Sequence, residues 1–92
     1  MSRKIPSYVI EMAKGDQIRI TVRIGHGGIS ESIISEISSQ LSKRKMVKIK
    51  ANKGVLSDSS ERRNFFFDLA QSTNSEVAFQ RGNIAVLWKG RK

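Results

Sequence analysis

A chain of 92 residues has the length of one small domain, with room for one modest core and a marginal stability. It carries 17 Lys and Arg against 8 acidic residues, a formal net charge of +9, and no cysteine, which removes disulfides and thiolate metal sites and fits a reducing compartment. No stretch is long and apolar enough to cross a bilayer, and the basic start lacks a secretory pattern, so a cytoplasmic protein with a polyanionic partner is expected, nucleic acid before an anionic membrane surface.

Pro6 suits the first position of a helix and Gly15 its exit, which predicts a short helix over residues 7–14, with Tyr8 and Met12 one turn apart, as are Val9 and Ala13. Residues 17–24 alternate: Ile18, Ile20, Val22 and Ile24 on one face, Gln17, Arg19, Thr21 and Arg23 on the other, the pattern of a half-buried strand. Three glycines follow within four residues, in the run Arg23 to Ser30 (RIGHGGIS). Ser30 is a good N-cap, Ile29 and Ile34 hold the hydrophobic-staple positions, and Ile33, Ile34, Ile37 and Leu41 form an apolar stripe that predicts a helix ending near Ser42 or Lys43. A second strand, Lys45 to Ala51, turns Val47, Ile49 and Ala51 inward and Lys48 and Lys50 outward. Asn52 to Gly54 ends it. Asp58 and Glu61 read as the capping box of a further helix that reaches about Ser72. Glu76 to Gln80 and Ile84 to Lys89 flank a turn around Gly82, a hairpin. The order α-β-α-β-α-β-β predicts an α/β fold, a two-layer sandwich with a four-stranded mixed sheet, in one domain spanning 1–92 whose core covers about 17–89.

The glycine corner lies between a strand and a helix N-terminus. Such a loop offers unpaired N–H groups and the positive end of a helix dipole to an anion. A dinucleotide-binding pattern fails because Ser30 takes the third glycine position and the second strand ends in Lys50, Ala51 and Asn52. A P-loop fails for want of G-K-[S/T]. Gly25-His26-Gly27-Gly28 fits the third pattern, the G-x-x-G loop that clamps a nucleic-acid backbone, against the plainer reading of a connecting turn. The run Lys43 to Lys50 has five basic residues and no acid. It is either a solvated face or, if its strand runs parallel to the first, a surface shared by Lys48 and Lys50 with Arg19 and Arg23. Arg62 and Arg63 stand in the first turns of a helix, where the dipole prefers acids. Of the consecutive Phe65, Phe66 and Phe67, only some can face a core, since successive helical residues are about 100° apart; Phe66, Leu69 and Ala70 make the stripe. The displaced ring could pack under the first helix. Trp88 reads as a core or rim residue before a base-stacking one. His26 is the only histidine and has no evident orienting carboxylate, so neither a catalytic triad nor a metal site is supported, and no enzyme activity or cofactor is expected.

Taken together these segments resemble the CRM domain, also called the YhbY family. The resemblance rests on Ile24-Gly25, Gly28, Ile29 and Ser30, on Ile33 to Ile37, on Val47-Lys48-Ile49-Lys50, and on a closing hairpin that ends in Trp88-Lys89. It implies a fold like the C-terminal domain of bacterial translation initiation factor three. It also implies RNA binding through Gly25, His26, Gly27 and Gly28 with adjacent basic residues: Arg19, Arg23, Lys43, Arg44, Lys45, Lys48, Lys50, Arg62 and Arg63. A stand-alone domain of this kind resembles the relatives that associate with precursors of the large ribosomal subunit, which makes ribosomal RNA the expected partner of a monomer. Family members often carry a basic residue inside the loop, where this chain has His26 and Gly27, and usually begin with a longer basic helix. A basic DNA-binding or chromatin-type protein is the rival that charge alone fits equally well.

Overall fold

The computed structural model describes residues 5–15, 18–25, 29–52 and 59–89. The elements are α1 (Ser7–Lys14), β1 (Ile20–Ile24), α2 (Glu31–Arg44), β2 (Met46–Ala51), α3 (Ser59–Ser72), β3 (Glu76–Arg81) and β4 (Ile84–Trp88), the order expected from the sequence. They build one mixed sheet of order β1-β2-β4-β3, in which β1 and β2 run parallel and the other pairs antiparallel.

The core lies between one face of this sheet and α2 and α3. Val22 and Ile24 of β1, Val47, Ile49 and Ala51 of β2, and Ala85 and Leu87 of β4 meet Ile37 and Leu41 of α2 and Phe66, Leu69 and Ala70 of α3. Burial of a large side chain of this kind contributes about 1.5–3 kcal/mol. The three phenylalanines divide as the helical pitch requires. Phe66 is fully buried, Phe65 packs on it edge to face at 5.4 Å and 76°, and Phe67 is 56% exposed, so the displaced ring faces solvent and not α1.

Helix α1 covers part of the opposite face. Val86 lies between the core residues Ala85 and Leu87 and so points away from them, yet it is fully buried, as are Val9 and Ala13 of α1, which lies against β3. The two main layers are therefore supplemented by a short third element over β3 and β4, while the outer face of β1 and β2 is left largely open.

Local chemistry sets the ends of the helices. Ser30 accepts a hydrogen bond from the Ile33 N–H at 3.3 Å, the expected N-cap of α2. Ile34 packs against the core while Ile29 is 36% exposed. Helix α2 runs to Arg44, slightly further than its stripe suggests, and Lys45 follows in the left-handed region at φ 70°. At the end of α3, Asn74 takes φ 59°, its N–H donates to the Gln71 carbonyl, and the Ser75 N–H donates to that of Ala70 at 2.8 Å, a Schellman motif. Buried Thr73 reinforces it: its hydroxyl donates to the Leu69 carbonyl at 2.9 Å and lies 2.8 Å from the Ser75 hydroxyl. Asp58, half of the expected capping box, lies outside the described residues, as do Gln17, Lys53, Gly54 and the loop residues His26, Gly27 and Gly28.

One expectation is corrected. The alternation of residues 17–24 puts Ile18, Ile20, Val22 and Ile24 on one face, but Ile20 pairs with Lys48 and Val22 with Ile49, so two steps on β1 match one on β2. This bulge at Thr21 reverses the phase. Ile20 shares the outer face with Lys48, and the Thr21 hydroxyl donates to the side-chain Oε1 of Gln40 on α2 at 2.5 Å. Ile18 and Arg19 precede the strand.

The β3–β4 hairpin closes Arg81 on Ile84 through the two-residue turn Gly82-Asn83, with Gly82 at φ +59°. A β-branched side chain there is strained, so Gly82→Val should destabilise the protein by about 1–2 kcal/mol. Urea unfolding followed by circular dichroism checks this; an unchanged midpoint would mean that the turn does not depend on glycine.

Candidate nucleic-acid interface

The parallel pair β1–β2 gives the molecule two unlike ends. Both strands finish at the same end, and each is followed by a helix, so α2 and α3 begin where β1 and β2 stop. Two helix N-termini therefore lie toward the end of the sheet where Gly25 leaves β1, and their dipoles make that end favourable for an anion. At this end Arg23 and Lys50 are register partners on neighbouring strands, and both project from the outer face. With Gly25 and Asn52 they line a recess of about 260 Å³. The Asn52 N–H donates to the Ile24 carbonyl at 2.7 Å and the Ala51 N–H to that of Asn83 at 2.8 Å, tying the floor of the recess to both neighbouring strands. Register also brings in a residue that the sequence reading did not select: Lys50 pairs with Ile84 and Ile84 with Arg81, so Arg23, Lys50 and Arg81 lie in one row across the sheet. Strands are about 4.8 Å apart, so the row spans roughly 15 Å. The hairpin pattern held the signal for Arg81, but only once its register against β2 was known.

Arg62 and Arg63 stand in the first turns of α3, on the core side of the sheet at the same end. Arg63 is exposed. Arg62 is half-buried, and its Nε is enclosed with no hydrogen-bond partner among the described residues. Lys43, Arg44 and Lys45 are exposed at the C-terminus of α2, the far end of a helix about 21 Å long. There their charge complements the helix dipole, a sufficient structural reason for part of the basic run. Lys48 lies between the two ends, half-buried on the outer face, and exposed Arg19 lines a groove with it. The expected site residues thus form a cluster at the glycine end and a second group at the opposite end, joined by the outer face of β2.

Gly25 itself is informative. A methyl group built on it meets no atom of the described residues within 4 Å apart from its chain neighbours, and its φ lies outside the positive region that favours glycine. Among the described residues nothing demands a glycine here. The geometry of the recess would suit a backbone or phosphate brought close from outside.

Among the described residues no group of three His, Cys, Asp or Glu side chains could hold a metal ion, and no helix is long and apolar enough to cross a membrane.

A mixed sheet with two helices on one face and a row of cations beside Gly25 defines an α/β domain with one strongly cationic end. The profile of the CRS1 / YhbY (CRM) domain matches residues 12–89, and the chain belongs to that family of RNA-binding domains. The fold is that of the solution structure of a hypothetical protein from Staphylococcus aureus, described there as a candidate RNA-binding protein. The two agree with a TM-score of 0.75 at 24% identity, over 94% of this chain and 84% of the other. No curated protein matches the chain significantly.

The freedom around Gly25 yields a direct expectation for stability. Gly25→Ala should leave the fold intact and raise its stability by about 0.4–1 kcal/mol, because alanine restricts the unfolded chain more than glycine does. A lowered thermal midpoint would show that the protein itself needs glycine at this corner.

Proposed function

We propose that this protein is a non-catalytic RNA-binding protein, a single CRM domain over residues 1–92, that binds structured ribosomal RNA in ribosome assembly. In this reading Gly25, Gly27 and Gly28 let the RNA backbone approach the amides at the start of α2, and His26 contacts the RNA. Arg23, Lys50, Arg62 and Arg63 supply charge at that end; Arg19, Lys48, Lys43, Arg44 and Lys45 extend it over the outer face and beyond. The observation that carries it is the juxtaposition at one end of the sheet of the paired Arg23 and Lys50, the recess they line with Gly25, and the capped N-terminus of α2. Family membership supports RNA as the anion, and the net charge of +9 supports a partner with many phosphates. The chain acts as a monomer in the cytoplasm in this reading, and it needs no cofactor.

The rival with the same charge is duplex DNA. Competition between a structured RNA and duplex DNA at near-physiological salt separates them, and equal or tighter DNA binding would overturn the RNA reading. RNA affinity should fall steeply with salt, with a log–log slope lowered by about 0.7–0.9 for each phosphate contact removed in Arg23→Gln or Lys50→Gln. Gly28→Asp should weaken RNA binding while the far-UV spectrum stays native. A folded variant that binds RNA as tightly as the parent would sink the role of the loop.

A further inference from the structure

The far end of the outer face is built differently from the glycine end. There Met46 and Trp88 are direct register partners on β2 and β4, side by side and half-buried. Above them α1 presents Tyr8 and Met12, one helical turn apart, 66% and 41% exposed. Tyr8, Met12, Met46 and Trp88 line one recess of about 350 Å³, with Arg44 and Lys45 completing its wall. That volume lies within the range of about 300–1,000 Å³ common for small-ligand sites. A single exposed aromatic needs no explanation, but a tyrosine, a tryptophan and two methionines around one concave site form a contiguous apolar surface that water covers poorly.

The recess shares Met12, Arg44 and Met46 with a larger groove of about 660 Å³, which Arg19 and Lys48 border. The residues lining the two hollows are basic or uncharged, and the nearest acid by register is half-buried Glu76, paired with Trp88 on the side away from Met46. From Lys48 the outer face of β2 continues to Lys50, next to Arg23 and the recess at Gly25. From Met46 to Lys50 is about four steps along the strand, roughly 13 Å. An aromatic platform with a cationic wall, continuous with a cationic track, matches what an unpaired nucleotide offers: a flat apolar base on a phosphate chain. An acidic peptide would match the charge but leaves the track toward Gly25 unused.

We propose that the hollow between α1 and the β2–β4 pair is a second RNA subsite, which takes an unpaired base against Tyr8 and Trp88 while Arg44, Lys45 and Lys48 hold its phosphates. This rests on the RNA-binding reading above and adds to it. The protein contacts structured RNA at the glycine end and a flanking single strand at the other.

The test compares one RNA hairpin, blunt or extended by a short single-stranded tail on either the 5′ or the 3′ side. The wild type should bind one tailed form roughly tenfold more tightly than the blunt form. The fluorescence of Trp88, the sole tryptophan, should be quenched only by that tailed form. Tyr8→Ala should abolish the gain from the tail and leave blunt-hairpin affinity unchanged, whereas Tyr8→Phe should keep the gain. Equal affinity for all three RNAs, or a gain that survives in folded Tyr8→Ala, would overturn the subsite while leaving the RNA-binding reading standing. Binding of none of the RNAs would remove that reading and the subsite with it. Quenching of Trp88 by a polyglutamate peptide but not by tailed RNA would make the hollow a protein-docking surface and would also overturn the proposal.

Discussion

The arrangement depends on the pleat of β2. This strand is hydrogen-bonded on both sides, to β1 and to β4, so its backbone has little freedom to shift. Its six residues send Val47, Ile49 and Ala51 into the core and Met46, Lys48 and Lys50 to the outer face. A slip of one residue would bury two lysines under α2 and α3 and expose the centre of the core, so the register is fixed strongly. The same alternation explains why the outer face is only partly covered. A helix laid over β1 and β2 would have to bury Lys48, Lys50 and Arg23. The apolar side chains that can take a helix on that face are those of β4 and β3, and α1 packs there, over Val86.

The parallel pairing of β1 with β2 then sorts the charges. Two strand-to-helix connections at one end put two positive dipole ends beside Arg23, Lys50, Arg62 and Arg63, which adds unfavourable self-interaction in the isolated protein. At the other end Lys43 and Arg44 complete the last turn of α2 and are stabilised by its dipole. Similar side chains therefore carry opposite local energetics at the two ends. The glycine end concentrates cations against the local field, and that is where an anion gains most from binding. The far end holds cations that have a structural reason to be there, alongside aromatic and sulfur-containing side chains that do not.

Much of the fold was legible in the sequence because each element states its inward face. Val47, Ile49 and Ala51 in β2, Ile37 and Leu41 in α2, and the Phe66, Leu69 and Ala70 stripe in α3 are periodic and fall where their period puts them. Ser30 and Gly82 were legible for chemical reasons, the first as a side-chain acceptor for a free N–H and the second as the residue that tolerates positive φ. The bulge at Thr21 was not legible. A run that alternates without interruption gives no local sign that its partner strand will take one residue where it takes two, and the Thr21–Gln40 hydrogen bond joins residues 19 positions apart. The position of α1 was hidden for a similar reason, since an eight-residue helix with two buried side chains can dock on either face until the rest of the sheet is assembled.

The candidate site was legible in the sequence as a run of charges, without Arg81 and without its shape. Charge pattern alone placed Lys43, Arg44 and Lys45 in one run with Lys48 and Lys50, yet the left-handed turn at Lys45 and the strand after it carry the run the length of the sheet, from the aromatic hollow to the recess at Gly25. The turn also fixes the spacing between the two. The Lys45 N–H donates to the Leu41 carbonyl at 2.9 Å, and its own carbonyl accepts from the Lys89 N–H at 2.8 Å, so the junction of α2 and β2 is pinned to the end of β4 next to Trp88. A ligand that touched both ends would meet two sites held at a set distance by one central strand, with no hinge between them in β2. The distance a bound chain would have to cover between the two ends is therefore set by the protein and not by the partner.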